Sequence, residues 1–286
     1  MAFIGLLILI FHKNQARWSY YFSLHAAGIV LLYFFYRASA GTRREGIRFL
    51  RDILMPILLI FYYEETESLN HMVTGEFLDP FFAGIEEAIF GCQPAFEFVK
   101  VMPQAWFSEY MHFSYFSYYL LIPWLALPLW FKRRRREYDE LMFSCLLCMA
   151  FCYTFFIFVP CAGPWHYYEH LSMRWNFPGY IFVPAMEMVL KYGEIANGAF
   201  PSSHCAMATV ILLCAWRFHR RIFWFMLPVV LGLYASTVYT QAHYVIDIPA
   251  GILTGAFFYW AARPVKRWME RTLSLRVSDL ESIQKR

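Results

Sequence analysis

Continuous apolar runs constrain what this chain can fold into more than any other feature of its sequence. A run of about 20 apolar residues crosses a bilayer as a helix, and only helices or closed barrels satisfy their backbone groups there. The runs are continuous and do not alternate with a period of two, so they predict helices. With 59% hydrophobic and 16% charged residues among 286, too little polar surface remains for a soluble domain. The clear spans are predicted at 20–36, 111–131, 141–160, 201–216, 222–238 and 244–262.

Two further apolar runs, near the start of the chain, are short. Residues 53–63 are expected to span by including 47–51, whose arginines can reach the headgroups. Residues 1–11 are left open between a short span and an anchor; they lack the basic start and the cleavage site of a signal peptide. We predict an all-α fold, a polytopic membrane helix bundle with a six-helix catalytic core and one or two N-terminal helices. The expected divisions of this single membrane domain, 1–286, are N-terminal helices in 1–52, a core in 53–262 with an extracytoplasmic cap at 64–110, and a cytoplasmic tail at 263–286.

The placement of basic residues predicts which ends of the helices face the cytoplasm. Loops on one alternating face carry 20 Lys and Arg residues, and loops on the other carry 5. Since basic loops stay cytoplasmic, the face with fewer is expected to be non-cytoplasmic. The basic run 132–136 is interpreted as an anchor beside a membrane span, so no nucleic-acid partner is expected.

The non-cytoplasmic face is expected to carry two sizeable segments, 64–110 and 161–200. The first mixes glutamates with phenylalanines and isoleucines, a pattern typical of amphipathic helices at a membrane interface. Such a cap can be a lid that shapes a substrate site, or it can simply cover helix ends in water. The sequence leaves both interpretations open.

Two polar motifs lie at the ends of predicted spans, where ionisable residues are costly unless they serve a function. The first is Pro-Ser-Ser-His at 201–204, and the second is His-Tyr-Val-Ile-Asp at 243–247. Pro201 suits the first turn of a helix. The 39-residue separation of His204 and His243 accommodates one descending helix, a tight loop and one returning helix. Both motifs are therefore expected on the same, non-cytoplasmic face.

The residue types in these motifs favour phosphoryl transfer. His243 and Asp247 would share one face of a helix, so that the carboxylate fixes one ring nitrogen and leaves the other as a nucleophile or base. Ser202 and Ser203 place hydroxyls beside the free N–H groups of a helix start, which can hold phosphate oxygens. His204 lies in the same turn, where it can protonate a leaving oxygen. The scheme requires no metal or other cofactor.

At these residues the sequence resembles the type 2 phosphatidic acid phosphatase superfamily, whose members carry a Pro-Ser-x-His motif followed by a His-x-x-x-Asp motif. The resemblance covers about 141–262. It implies that His243 attacks phosphorus to form a phosphohistidine, that Asp247 orients His243, and that His204 acts as the general acid.

Two cationic elements of the phosphatase members are missing from this chain. The loop before the first motif lacks their Lys-x6-Arg-Pro element, and Ser236-Thr237 stands where they have Ser-Arg ahead of the nucleophilic His. Arg174 or Lys191 is a candidate to replace the missing charges. The Pro-Cys-Ala-Gly-Pro-Trp stretch and the Gly-Ala-Phe before the first motif look more like the branch of inositol phosphorylceramide synthases. Those enzymes move a phosphorylated headgroup between lipids.

The sequence therefore predicts a lipid phosphotransferase that uses a phospholipid donor and a lipid or alcohol acceptor. A lipid phosphate phosphatase of the same superfamily is the alternative. A proton-coupled transporter is less favoured, because the ionisable residues are expected at helix mouths and not at mid-bilayer. A zinc protease is also less favoured, although His166, Glu169 and His170 match a short His-x-x-Glu-His pattern.

Two smaller features concern packing and cross-linking. Gly251 and Gly255 form a Gly-x-x-x-Gly step, which is expected to let the last helix pack closely on a neighbour. Cys92 and Cys161 are expected on the same face of the membrane, and whether they pair is left open.

Overall fold

A computed structural model shows the chain as a bundle of α-helices. The structure describes residues 1–39, 42, 44–173, 176–193 and 196–284. Within those ranges the regular secondary structure is helical, which confirms the predicted all-α fold. The helices are α1 (Ala2–Ile10), α2 (Trp18–Ser39), α3 (Glu45–Leu69), α4 (Asp79–Phe90), α5 (Pro94–Val101), α6 (Ala105–Phe116), α7 (Tyr118–Phe131), α8 (Arg135–Phe158), α9 (Pro164–Tyr167), α10 (Phe182–Gly193), α11 (Ser203–Phe218), α12 (Arg220–Tyr239) and α13 (Asp247–Gln284).

The described helices include three, α2, α8 and α12, that are long and apolar enough to cross a membrane. Helices α7 and α11 are shorter and also apolar. Only 6% of the apolar stretch of α2 is buried inside the protein, against 56% for α8. Helix α2 therefore lies at the periphery of the bundle, whereas α8 belongs to its interior.

The N-terminal run forms a short helix, α1, which packs against α2. Nine helical residues extend about 13 Å, less than half of the hydrocarbon thickness of a bilayer. Helix α1 is thus too short to span alone. Nε2 of the buried His25 on α2 lies 3.1 Å from Oε1 of Glu65 on α3, and this contact joins the N-terminal helices to the rest of the bundle.

Two predicted span boundaries can be compared with the helices. Helix α3 continues through 53–63 in both directions and includes 47–51, so the two stretches form one helix; that this helix spans the membrane stays a prediction. The predicted span over 111–131 comprises the second half of α6 and the whole of α7, which are separated at Ser117; that this segment forms one span stays a prediction. The hydroxyl of Ser117 donates to the carbonyl oxygen of Ser114 at 2.6 Å, a local bond of the kind that competes with a continuous helix.

Helix α11 lies against α8, α12 and α13 in the middle of the bundle. A Cβ added at Gly251 on α13 would overlap the carbonyl oxygen of Ser202, and one at Gly255 would overlap that of Ala206. The predicted close packing of the last helix is therefore confirmed, since a larger residue would force the backbones apart. This contact fixes the start of α13 beside the start of α11.

The cap segment 64–110 forms the end of α3, then α4 and α5, and the start of α6. Helix α4 buries Phe82 and Ala83 and exposes Phe81 and Ile89. Its buried face contacts the loop after α8 and the turn before α13, as the hydrogen bonds below show.

The segment 161–200 contains α9 and α10, and a carboxylate from α6 anchors α10. Glu109 accepts the backbone N–H groups of Ile181, Phe182 and Val183 at 2.9, 2.8 and 3.3 Å. A negative charge at a helix N-terminus is favourable. Glu109 therefore ties the start of α10 to the bundle.

Candidate active site

The second motif forms a turn ahead of a helix. His243 precedes α13, which begins at Asp247. The prediction that His243 and Asp247 lie on one face of a helix is therefore wrong, because His243 is outside the helix. Their side chains nevertheless meet. The reason is that Oδ2 of Asp247 accepts the backbone N–H of Tyr244 at 2.8 Å. The carboxylate closes the turn at the N-terminus of α13, where negative charge is favoured.

The hydrogen bonds of His243 determine which of its ring nitrogens is free. Nδ1 lies 2.8 Å from the carbonyl oxygen of Ala199 and 3.2 Å from Oδ2 of Asp247. Both partners are acceptors, so Nδ1 carries the proton and Nε2 keeps its lone pair. His243 is 3% exposed and Asp247 is fully buried, which fixes the ring in this orientation. An imidazole in this tautomer can attack an electrophile through Nε2.

The first motif caps α11. The hydroxyl oxygen of Ser202 accepts the backbone N–H of Cys205 at 3.3 Å, and α11 begins at Ser203. Pro201 therefore precedes the N-cap and does not lie in the first turn, contrary to the prediction. The N–H groups of Ser203 and His204 have no acceptor within the helix, as in the first turn of any α-helix. Donors of this kind can bind an anion.

The two motifs meet at Nε2 of His243. Ser202 Oγ and His204 Nδ1 each lie 3.2 Å from this atom, so two donors compete for one lone pair. Rings of Tyr115 and Tyr118 pack against His204, with centroids 5.0 and 4.5 Å away. The structure thus brings together the three side chains predicted to be catalytic, with Ser202 beside them.

A carboxylate from the cap, Asp79 on α4, holds the turn that carries His243. Its Oδ1 accepts the hydroxyl of Tyr244 at 3.0 Å and the N–H of Gly163 at 2.8 Å. Its Oδ2 accepts the N–H of Ala162 at 2.7 Å. Asp79 is fully buried, and a buried carboxylate is stabilised by the donors that it accepts from. The cap, the loop before α9 and the His243 turn therefore form one hydrogen-bonded unit.

Glu86 lies two turns further along the same face of α4. One of its carboxylate oxygens accepts the N–H of Val245, and the other has no hydrogen-bond partner among the described residues. Burial raises the pKa of Glu86 to about 7, and the negative charge of Asp247 adds to the effect. Glu86 therefore titrates near neutral pH beside the His243 turn.

The loop before α9 packs directly on the His243 turn. Gly163 has a φ of +91°, a left-handed conformation that favours glycine. A Cβ there would lie 2.5 Å from the carbonyl oxygen of Ala242. Cys161 is buried with its Sγ 3.6 Å from Asp79, and both it and Cys92 are free thiols, so these two cysteines form no disulfide.

A cavity of about 560 Å³ opens beside the two histidines. Its walls are mainly aromatic and aliphatic, and its polar groups include tyrosine hydroxyls, Ser203, Asn197 and Glu64. None of the cavity-lining residues that the structure describes is Lys or Arg. An anion bound at the histidine end of this cavity would therefore meet the hydroxyl of Ser203 and two imidazole rings, without a cationic side chain from the described lining.

The two residues that replace the Ser-Arg pair of related phosphatases are fully buried in α12. The hydroxyl of Ser236 donates to the carbonyl oxygen of Leu233, and that of Thr237 donates to the carbonyl oxygen of Tyr234, both at 2.8 Å. These hydroxyls are used within their own helix.

Arg174 and Lys191 were predicted to replace the missing phosphate-binding cations, and the structure describes only one of them. Arg174 lies outside the described residues. Lys191 is exposed in the last turn of α10 and follows Leu190, which lines the cavity. Lys191 itself is not among the described residues that line the cavity.

A search of the described residues finds no group of three or more His, Cys, Asp or Glu side chains that could hold a metal ion. The residues of the zinc-protease pattern do not form one helix. Helix α9 ends at Tyr167, and a 3-10 turn follows over Glu169–Leu171. The helical spacing of His166 and His170 that this pattern requires is not formed.

The cap carboxylates are the site residues that the sequence interpretation missed. Asp79 and Glu86 lie seven residues apart, on the same face of α4 as the buried Phe82 and Ala83. Two acids on the apolar face of an amphipathic helix require buried partners, because an unpaired buried charge is costly. That pattern is visible in the sequence and could have identified both residues.

Comparison with known proteins agrees with the geometry. A family model described as PAP2 superfamily matches residues 85–261, which is more than half of the chain. The fold and this match define a membrane enzyme of the lipid phosphatase and phosphotransferase class. The chain belongs to the PAP2 superfamily.

The chain is also similar to a bacterial permease protein. The bacitracin transport permease protein BcrC of Bacillus licheniformis is 28% identical over 108 residues, which cover 36% of this chain and 52% of that protein. The chain thus spans about half the length of this relative. No solved structure matches the chain.

Proposed function

We propose that this protein is a membrane-embedded lipid phosphotransferase that moves a phosphorylated headgroup from a phospholipid to an alcohol acceptor, as in the inositol phosphorylceramide synthase branch. The observation that carries the proposal is Nε2 of His243. The lone pair of this atom is approached only by the donors Ser202 and His204 among the described residues, its ring is oriented through Nδ1 by Ala199 and Asp247, and it lies beside an apolar cavity.

Two displacements at phosphorus make up the proposed reaction. First, His243 Nε2 bonds to phosphorus, the bond from phosphorus to the oxygen of the donor's lipid alcohol breaks, and protonated His204 gives its proton to that oxygen. Second, the acceptor hydroxyl gives its proton to His204 as its oxygen attacks phosphorus, and the phosphorus–nitrogen bond breaks. Asp247 stabilises the positive charge that develops on His243.

Phosphate binding requires the two imidazoles to separate. The attacking and leaving atoms lie roughly in line through phosphorus, and the acid must reach the leaving oxygen. At 3.2 Å from Nε2, His204 Nδ1 is too close to the nucleophile for a phosphorus atom to lie between them. The substrate therefore displaces His204 from this contact, within the space left beside Tyr115 and Tyr118.

The charge of the described cavity lining supports the transfer of a diester. A phosphodiester carries one negative charge, whereas a phosphomonoester carries about −1.5 to −2 at neutral pH. A lining in which none of the described residues is Lys or Arg suits the less charged group. Lys191 or Arg174 supplies further attraction under this proposal.

A lipid phosphate phosphatase is the second candidate, and membership of the superfamily favours it equally. Water would then replace the alcohol in the second displacement, with the same residues in the same roles. Under either proposal the active site faces away from the cytoplasm, which the 20 to 5 distribution of basic residues supports.

The test uses the purified chain in detergent with phospholipids labelled in the headgroup phosphate, with and without an alcohol acceptor. We expect label to move to the acceptor, and to appear as an acid-labile phosphohistidine in wild-type protein but not in His243→Ala. The exposed His170→Ala is the matched control and should retain both activities. Turnover by His243→Ala would refute its role as nucleophile. Release of inorganic phosphate from monoesters without an acceptor would favour the phosphatase.

A further inference from the structure

The cavity beside the histidines is elongated, and aromatic residues mark both of its ends. At the catalytic end, Tyr118 packs on His204 with ring centroids 4.5 Å apart. At the other end, the ring of Trp130 packs against Phe49 and Tyr138 with centroids 5.6 and 5.2 Å away. All five residues line the cavity. We call this cavity, from His204 to Trp130, the slot.

Helix geometry gives the length of the slot. Tyr118 and Trp130 are twelve residues apart on α7, which at 1.5 Å per residue is about 18 Å. Tyr138 and Tyr153, both slot-lining residues of α8, give about 22 Å by the same measure. A lipid leaflet has a hydrocarbon thickness of about 15 Å. The slot is therefore as long as a whole hydrocarbon chain of a membrane lipid.

The walls between the two ends are apolar. Ile122 and Ala126 of α7 and Met142 and Met149 of α8 line the slot. Water and a methylene group each occupy about 30 Å³, so 560 Å³ holds roughly 19 such groups. That volume is large enough for one chain of this length.

The slot opens sideways between α3 and α7. Slot-lining residues on both edges are large, apolar and exposed: Ile60 on α3 is 60% exposed, and Tyr119 and Leu127 on α7 are 47% and 44% exposed. In a membrane these side chains face hydrocarbon. A lipid tail can therefore slide in from the bilayer without crossing water.

Stacked groups mark the far end of the slot. The guanidinium of Arg135 lies 3.2 Å from the centroid of the Trp130 ring, a close cation–π contact. Together with Phe49 and Tyr138 this fixes the indole across the end of the slot. A chain that enters from the histidines meets this barrier after about 18 Å.

We propose that the slot holds one hydrocarbon chain of the lipid substrate, and that Trp130 sets the longest chain that fits. The part of this proposal that concerns turnover rests on the proposed function, because the histidines must act on the headgroup at the open end. The binding of the chain does not rest on it.

The first experiment measures binding directly. A single-chain phospholipid with a photoreactive group at the end of its chain is bound to the purified protein in detergent, irradiated, and the labelled peptides are identified. We expect label at Trp130 or Tyr138 in wild-type protein and in His243→Ala. In Ala126→Trp, whose indole blocks the middle of the slot, label should move toward Tyr118. Leu120→Trp, at a 49% exposed position of α7 outside the slot, should label as wild type.

The second experiment measures selectivity with single-chain donors of about 8 and about 16 carbons, lengths that fill half or all of the slot. Ala126→Trp should lower the kcat/KM ratio of long over short donor by about tenfold or more, and Leu120→Trp should leave it unchanged. Trp130→Ala, which enlarges the slot, should extend the range to longer chains, and it tests the proposal if the Ala126 variant does not fold.

The outcomes separate the two proposals. Label spread over the outer surface of α7, or the same change of ratio in both tryptophan variants, would overturn the slot. Label at Trp130 with no turnover of any phospholipid donor would keep the slot and refute the proposed reaction. Turnover of a phospholipid donor with no label at the far end would refute the slot and keep the proposed reaction.

Discussion

Replacing Asp79 by Asn tests whether the cap holds the nucleophile in place. Besides the weak bond from the Cys161 thiol, the carboxylate accepts three hydrogen bonds from oxygen and nitrogen donors, those of Tyr244, Gly163 and Ala162. An amide has one oxygen, so at least one buried donor loses its acceptor and faces an NH₂ group. Each orphaned buried donor costs about 1–3 kcal/mol, which corresponds to roughly a 5- to 150-fold loss of the correctly formed turn.

The expected result for Asp79→Asn is a fall of kcat by about tenfold or more at saturating phospholipid, because His243 is displaced while the slot is intact. Tyr244→Phe removes one of the three bonds and should cost about two- to tenfold. The matched control is Glu87→Gln, on the exposed face of the same helix. Headgroup transfer is measured together with a thermal unfolding midpoint in detergent. A folded Asp79→Asn protein with kcat within twofold of wild type would refute the reasoning.

Two further predictions concern the same region. Burial raises the pKa of Glu86 from 4.5 to about 7, so between these values the folded protein holds a proton that the unfolded chain has lost, and stability should fall by about 3 kcal/mol as pH rises through this window. Thermal midpoints across that range should fall more steeply in wild type than in Glu86→Gln, and equal slopes would contradict the assignment. Gly251→Ala places a methyl group against the carbonyl oxygen of Ser202, so we expect a loss of about 1–3 kcal/mol and lower transfer activity, whereas Leu253→Ala on the exposed face of α13 should retain activity; unchanged activity in Gly251→Ala would show that the α11–α13 spacing does not position the site.

Much of the fold was predictable because hydrophobicity and basic residues are local signals. Apolar runs located α2, α8 and α12, and the spacing of Gly251 and Gly255 predicted a close helix pair. The break at Ser117 was not predictable in the same way. The run 111–131 is apolar on both sides of it, so hydrophobicity alone does not mark its position.

The candidate site was predictable as a set of residues but not as a geometry. The motifs identified His204, His243 and Asp247, and the contact of all three follows from two helices that return to one face. The conformation of the second motif depends on Asp247 capping its own helix, which helical spacing alone does not reveal. Asp79 escaped notice because its partners lie far away in sequence, where a single-chain pattern gives no pairing information.

The bond between Asp79 and Tyr244 also determines when the site can first exist. These residues are 165 positions apart, so a ribosome that adds about 5–20 residues per second makes the carboxylate roughly 8–33 s before its partner. Until then Asp79 lacks the hydroxyl of Tyr244 as a donor, and α4 cannot pack against the turn that carries His243. The active arrangement is therefore a late product of synthesis, assembled only after the final helix begins to emerge. A chain that stalls before that point would insert most of its helices and still have no nucleophile in place.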